Sequence, residues 1–203
     1  MTQAAAKTLT FAEFLDRKPE DKLHELYDGI ITEMQPTGKH EEITGFLTTE
    51  LVVEYRKENL PYFIPKTALV KAKDRQSAYC PDVLILNRPA LESETLWSKY
   101  STVQEAKSIA LIVEVTSTNW RDDYLTKLRD YEEIGVQEYW IIDYLGLGGK
   151  RYIGDPKQPT ISIYQLIEGE YQVNQFRDKN RLLSAIFPDL DLTAERVFLA
   201  SEI

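Results

Sequence analysis

One residue constrains this chain more than any other: the acid inside Ile109-Ala110-Leu111-Ile112-Val113-Glu114-Val115-Thr116. A β-branched run that dense reads as a strand covered on both faces, bounded as it is by polar segments. A carboxylate drawn into such a strand needs a cation, a hydrogen-bond network or a proton, because an unpaired buried charge costs several kcal/mol. Glu114 therefore predicts a polar partner delivered by the rest of the fold.

Composition narrows what that partner can be. With 203 residues, 43% of them hydrophobic, the chain suffices for one buried core and is short for two, so 1–203 reads as a single domain. A net charge of −9 opposes broad attraction to nucleic acid, leaving local Lys/Arg clusters or bound cations as routes to any such partner. A single cysteine, Cys80, excludes an internal disulfide and gives no sign of an oxidising compartment, so the expected location is cytoplasmic. Met1 to Lys7 lack the apolar stretch of a secretion signal, and no apolar run approaches the ~20 residues that span a bilayer, so no membrane partner is expected. His24 and His40 are the only histidines, which argues against zinc; a metal here would be a hard cation held by oxygens. Twelve Tyr and three Trp exceed what core filling needs, so some rings should line a groove or a subunit contact.

Local pattern supplies the elements. Thr10 to Phe14 predicts a short helix with a capping box, and Leu23 to Glu33, broken at Asp28-Gly29, a hairpin. Lys39 to Lys57 has helical periodicity, with Ile43, Phe46, Leu47, Leu51 and Val53 on one side. Strands are expected near Tyr62–Ile64, Ala68–Ala72 and Asp82–Leu86, then a polar loop with one helical turn from Asn87 to Lys107. After the Glu114 strand come a helix from Trp120 to Ile134, stopped by Gly135, and a strand Glu138–Asp143. Thr160–Leu166 and Tyr171–Phe176 read as a closing meander of exposed-face strands. The order argues an α/β fold with a mixed central sheet flanked by helices. The strand at Tyr139-Trp140 and the meander offer apolar surface for a homodimer.

The chemistry centres on three residues. Asp82 opens one strand and Glu114 lies in the next long one, a pairing that would offer oxygen ligands to Mg²⁺ or Mn²⁺. A lysine usually completes such a site, yet the position two beyond Glu114 is Thr116. At about 100° per residue, Trp120, Tyr124, Leu128, Tyr131 and Ile134 share one arc of the following helix and Lys127 falls inside it, while Asp122, Asp123, Arg129, Asp130 and Glu133 are assigned to the outer face. If the helix folds back over the strand, Lys127 lies level with Glu114. Each residue also has a plainer role: Asp82 as a turn residue, Lys127 as a snorkelling edge residue, Glu114 and Lys127 as a buried ion pair. Accessory candidates are His40, on the apolar side of the first long helix, Glu25, which alternates with Leu23 and Tyr27 in the hairpin, and Thr116, two positions beyond Glu114 on the same strand face. Glu50 and Glu54 fall toward that same helix face; Cys80 reads as a small buried filler and the Tyr124/Tyr131 stripe as core.

These residues, with Glu25-Leu26-Tyr27-Asp28-Gly29, Pro81-Asp82-Val83, Glu114-Val115-Thr116-Ser117 and Gly135 to Asp143, resemble the PD-(D/E)XK nuclease-like fold, and within it the Uma-type group of putative restriction endonucleases abundant in cyanobacteria. The resemblance implies a restriction-endonuclease-like core over about 38–145, with an added N-terminal hairpin and C-terminal meander. It implies metal-ligand roles for Asp82 and Glu114 and a catalytic lysine moved onto the helix as Lys127, with Thr116 departing from the parent motif. The activity implied is Mg²⁺- or Mn²⁺-dependent hydrolysis of DNA. The rival expectation is a noncatalytic binding or assembly module that keeps the acid and lysine cluster as a buried network.

Overall fold

The strands fall into two mixed sheets in the computed structural model, which describes residues 8–19 and 22–202, so the reading of Met1 to Lys7 lies outside the described residues. In chain order the elements are α1 (Phe11–Arg17), β1 (His24–Tyr27), β2 (Ile30–Glu33), α2 (Gly38–Lys57), β3 (Tyr62–Phe63), β4 (Leu69–Lys71), β5 (Ala78–Tyr79) and β6 (Val83–Asn87). Then come α3 (Trp97–Tyr100), β7 (Thr102–Val103), β8 (Ile109–Val115), a π-helical turn (Asp122–Lys127) running into α4 (Leu128–Ile134), and β9 (Glu138–Asp143). The chain closes with α5 (Lys150–Ile153), β10 (Thr160–Ile167), β11 (Glu170–Phe176) and α6 (Ala194–Leu199).

The larger sheet runs β11-β10-β9-β8-β6-β3, and β8 with β9 is its one parallel pair among the described residues. β8 is buried at all seven positions, as its composition requires of an interior strand. Alternation sorts its side chains. Leu111, Val113 and Val115 pack toward Ile43, Leu47 and Leu51 of α2. Ile112 joins Tyr79, Tyr124, Tyr131 and Tyr139 on the opposite face, the face to which Glu114 also points. Each of these fully buried aliphatic side chains contributes about 1.5–3 kcal/mol, so the sheet is clamped between two apolar layers.

The second sheet runs β2-β1-β5-β4-β7. The hairpin at Leu23 to Glu33 is therefore its edge and not an appendage. Its turn places Asp28 at φ 45° and Gly29 at φ 84°, and a Cβ on Gly29 would stand 2.8 Å from the Leu9 carbonyl oxygen, so glycine is required there. The Thr10 capping box forms: Thr10 Oγ1 accepts the Glu13 N–H at 3.2 Å, and the Glu13 carboxylate accepts the Thr10 N–H at 2.9 Å.

Some expectations need correction. Val53 is 61% exposed, because the buried stripe of α2 continues through Glu54 and Tyr55 instead. β10 is buried over its first five positions between β9 and β11; of the two meander strands, β11 is the exposed one. Tyr139 and Trp140 have no exposed surface, which removes that strand as a subunit contact. Six of the twelve tyrosines are buried in the core, and, as expected, some rings line a groove: Tyr27 and Tyr144 reach a cleft. Among the described residues no helix is long and apolar enough to cross a membrane.

Candidate active site

Strand register makes the first contact. β6 and β8 are antiparallel with Val83 opposite Val113, and one further step sets Asp82 beside Glu114 on the same face. Asp82 Oδ2 accepts the Val115 N–H at 2.7 Å and lies 3.1 Å from His40 Nε2, which fixes the carboxylate between β8 and the first turn of α2. Its Oδ1 has no hydrogen-bond partner among the described residues.

Glu114, 2% exposed, meets the cation its strand demanded. Its Oε1 accepts from the Tyr131 hydroxyl at 2.9 Å and stands 3.1 Å from Lys127 Nζ, while Oε2 has no partner among the described residues. The Lys127 ammonium is itself enclosed, 3.2 Å from Glu25 Oε1 and 3.7 Å from Asp123 Oδ1. Glu25 is anchored by the Cys80 N–H and the Tyr27 hydroxyl, both at 2.9 Å. The π-helical turn bears both Asp123 and Lys127, and such wide turns concentrate at functional sites.

One ammonium thus serves three buried carboxylates. Burial works against the Lys127 charge, but Glu114, Glu25, Tyr27 and Asp123 more than offset it and hold the ammonium well above its usual range. Burial pushes the Glu114 carboxyl up, with Asp82, Asp123 and Glu25 adding to the rise and Lys127 opposing it. Asp123 is raised to about 7, by burial first and by the neighbouring carboxylates after it. His40 is raised too: burial lowers it, and Asp82 outweighs that.

These groups floor a cleft of about 400 Å³, open to solvent and walled by the start of α2, by Ser117 to Asn119 and by Tyr144 to Leu147. Glu25, Asp82, Glu114, Asp122 and Asp123 line it against Lys127 and His40, so its charge balance invites a cation. Among the described residues no three His, Cys, Asp or Glu side chains suffice to enclose a metal. The donor set still fits Mg²⁺, which keeps several waters and takes one or two carboxylates: Asp82 Oδ1 and Glu114 Oε2 are the uncommitted oxygens.

The model of the Uma2 family, described as a putative restriction endonuclease, matches residues 11–195. The chain belongs to the Uma2 family. No curated protein matches it. The crystal structure of a putative nuclease of the DUF820 group from Anabaena variabilis shares the Uma2 fold, with a TM-score of 0.69 over 95% of this chain and 99% of that one at 17% identity. The fold is therefore restriction-endonuclease-like, as the resemblance implied.

Within this Uma2 site the structure brings Asp82, Glu114, Lys127 and Glu25 together, with His40 touching Asp82. Thr116 is elsewhere: it is fully buried beyond the end of β8, its N–H donates to the Ile142 carbonyl, and it does not line the cleft. Glu50 faces away and pairs with Arg196 at 3.1 Å. Asp123 and Asp130 are buried, not on the outer face. Asp130 accepts from the Tyr79 hydroxyl and Arg129 in a structural network, whereas Asp123 lines the cleft.

Asp123 carries a pH prediction. Its folded value of about 7 lies above the ordinary 3.8, so the native state binds the proton more tightly and wild-type stability falls as pH rises from about 4 to about 7. Asp123→Asn, measured in EDTA, should therefore stabilise the fold by about 1–3 kcal/mol at pH 8 and by nothing at pH 4. Urea midpoints at the two pH values check it; equal differences at both would contradict the assignment.

Proposed function

We propose that this protein is a hydrolase of DNA phosphodiester bonds that works with Mg²⁺ or Mn²⁺. The observation that carries the reading is the meeting of Asp82, Glu114 and Lys127, from two strands and a helix, on the floor of an open cleft. Asp82 and Glu114 would hold the ion through their uncommitted oxygens, with His40 and the Val115 N–H orienting Asp82. When bound, such an ion polarises the phosphorus centre and acidifies a water. Lys127, kept charged and held in place by Glu25 and Asp123, faces the same spot and orients the water or steadies the charge that develops on the phosphate. The water oxygen bonds to phosphorus as a bridging P–O bond breaks, leaving one phosphate end and one hydroxyl end.

The test uses wild-type protein. Supercoiled DNA should be nicked with Mg²⁺ or Mn²⁺ and left intact in EDTA, and calorimetry should register Mn²⁺ binding. Absence of both cleavage and ion binding would sink the proposal. One observation favours the rival reading of a noncatalytic module: the Lys127 ammonium already serves as the cation for Glu25, Glu114 and Asp123, which do not need a metal ion to offset their charge. Absence of ion binding in an otherwise stable protein would support that module.

A further inference from the structure

The floor of the cleft is acidic and would repel a polyanion, so something at its lip has to draw one in. A band of cations lies there. Trp120 follows directly on the cleft wall Ser117 to Asn119, and its ring packs on the loop before α5 so closely that a Cβ on Gly149 would stand 3.0 Å from it. The ring of Tyr152 is 6.2 Å from that of Trp120 and stacks on Tyr124 at 5.0 Å. The Arg121 guanidinium sits 4.5 Å over Trp120, and that of Arg151 lies 4.4 Å over Tyr152. Lys157 donates to the carbonyl of Leu147, a cleft residue, at 2.9 Å. Arg121, Arg151 and Lys157 are exposed, and among the described residues none of the three is in a salt bridge with a carboxylate. Lys150 is exposed in the same band but paired with Asp155 at 2.7 Å.

From this arrangement we infer that Arg121 and Arg151, each backed by an aromatic ring, together with Lys157, form a clamp for the sugar-phosphate backbone beside the cleft, so that substrate is gripped by its phosphates and not read by its bases. An aromatic backing fixes the guanidinium plane before contact, which lowers the ordering cost of binding a phosphate. The inference rests on the phosphodiesterase reading for what the cleft does to the strand once it is held. It accounts for how a chain of charge −9 would engage nucleic acid at all.

Fluorescence anisotropy with labelled 20-base-pair duplexes tests it, in EDTA so that neither metal nor cleavage takes part. Two unrelated DNA sequences and one RNA duplex serve as probes, across a salt series. The wild type should bind both DNA sequences alike. Arg121→Gln with Arg151→Gln should weaken binding about tenfold and flatten the slope of log K against log salt by about 2, one unit per phosphate contact. Arg121→Lys with Arg151→Lys should retain most of the slope, which separates charge from fold. Lys107→Gln, at the far end of β8 from Glu114, should leave it unchanged. RNA bound as tightly as DNA widens the substrate to any phosphodiester backbone and supports the clamp. An unchanged slope in the Arg121/Arg151 double glutamine variant, marked preference between the two DNA sequences, or no salt-dependent binding by the wild type overturns it. Binding with the expected slopes but no cleavage under any metal leaves the clamp standing and removes the hydrolase.

Discussion

Lys127→Met should destabilise the protein by about 3–5 kcal/mol at pH 8, the range expected when one partner of a buried ion pair is removed. Methionine matches the length of the lysine stem, so packing is largely kept and the loss is electrostatic. Glu25, Glu114 and Asp123, which stand 3.1 to 3.7 Å from the ammonium, would be left without their cation. Removing it drives the folded pKa values of Glu114 and Asp123 further above those of the unfolded chain. The folded state then binds more protons than the unfolded one, so stability falls as pH rises. The deficit should be largest at pH 8 and should shrink toward pH 4. Urea unfolding in EDTA at both values reads this directly, and a variant with the wild-type midpoint at pH 8 would show that the cluster carries no such charge.

Glu114→Gln should behave oppositely, losing function and keeping the fold. The amide oxygen can still accept from the Tyr131 hydroxyl and from Lys127, and Lys127 retains Glu25 and Asp123. What disappears is the negative charge beside Asp82 on which an ion would rest. Cleavage should drop by about 10³-fold, comparable to removal of a principal electrostatic group from an active site, with Mn²⁺ binding weakened alongside it. Circular dichroism should stay unchanged. Full activity in a folded Glu114→Gln protein would exclude the metal-ligand role.

How far the sequence disclosed this site differs from residue to residue. Glu114 stood out because an acid in a β-branched run contradicts its surroundings, and such contradictions mark sites where function overrides packing. Lys127 followed from angle and rise. Asp123 did not, although it precedes Lys127 by four residues and so lies only about 40° from it around a helix. On the wheel it falls just beyond the edge of the apolar arc, about 20° past Ile134, and the buried ammonium draws it inward. The second sheet was harder still. β5 and β7 have two residues each, too few for any period to register, and their pairing depends on partners far along the chain. Thr116 misled in the other direction, since β8 ends one residue earlier and the chain has left the strand face by then.

The lone parallel pairing within the larger sheet has its own corollary. Two strands running the same way cannot be joined by a tight turn; the connection must leave the sheet, travel back above it and return. Here that return journey is the π-helical turn and α4, so the Glu114 side of the sheet is roofed by topology alone. A cationic tip needed above Glu114 can hang from that roof as readily as it can rise from the strand beneath. Point substitutions can therefore relocate the lysine between floor and roof without any change of architecture, and the headgroup's place in space, not its place in a motif, is what such a scaffold preserves.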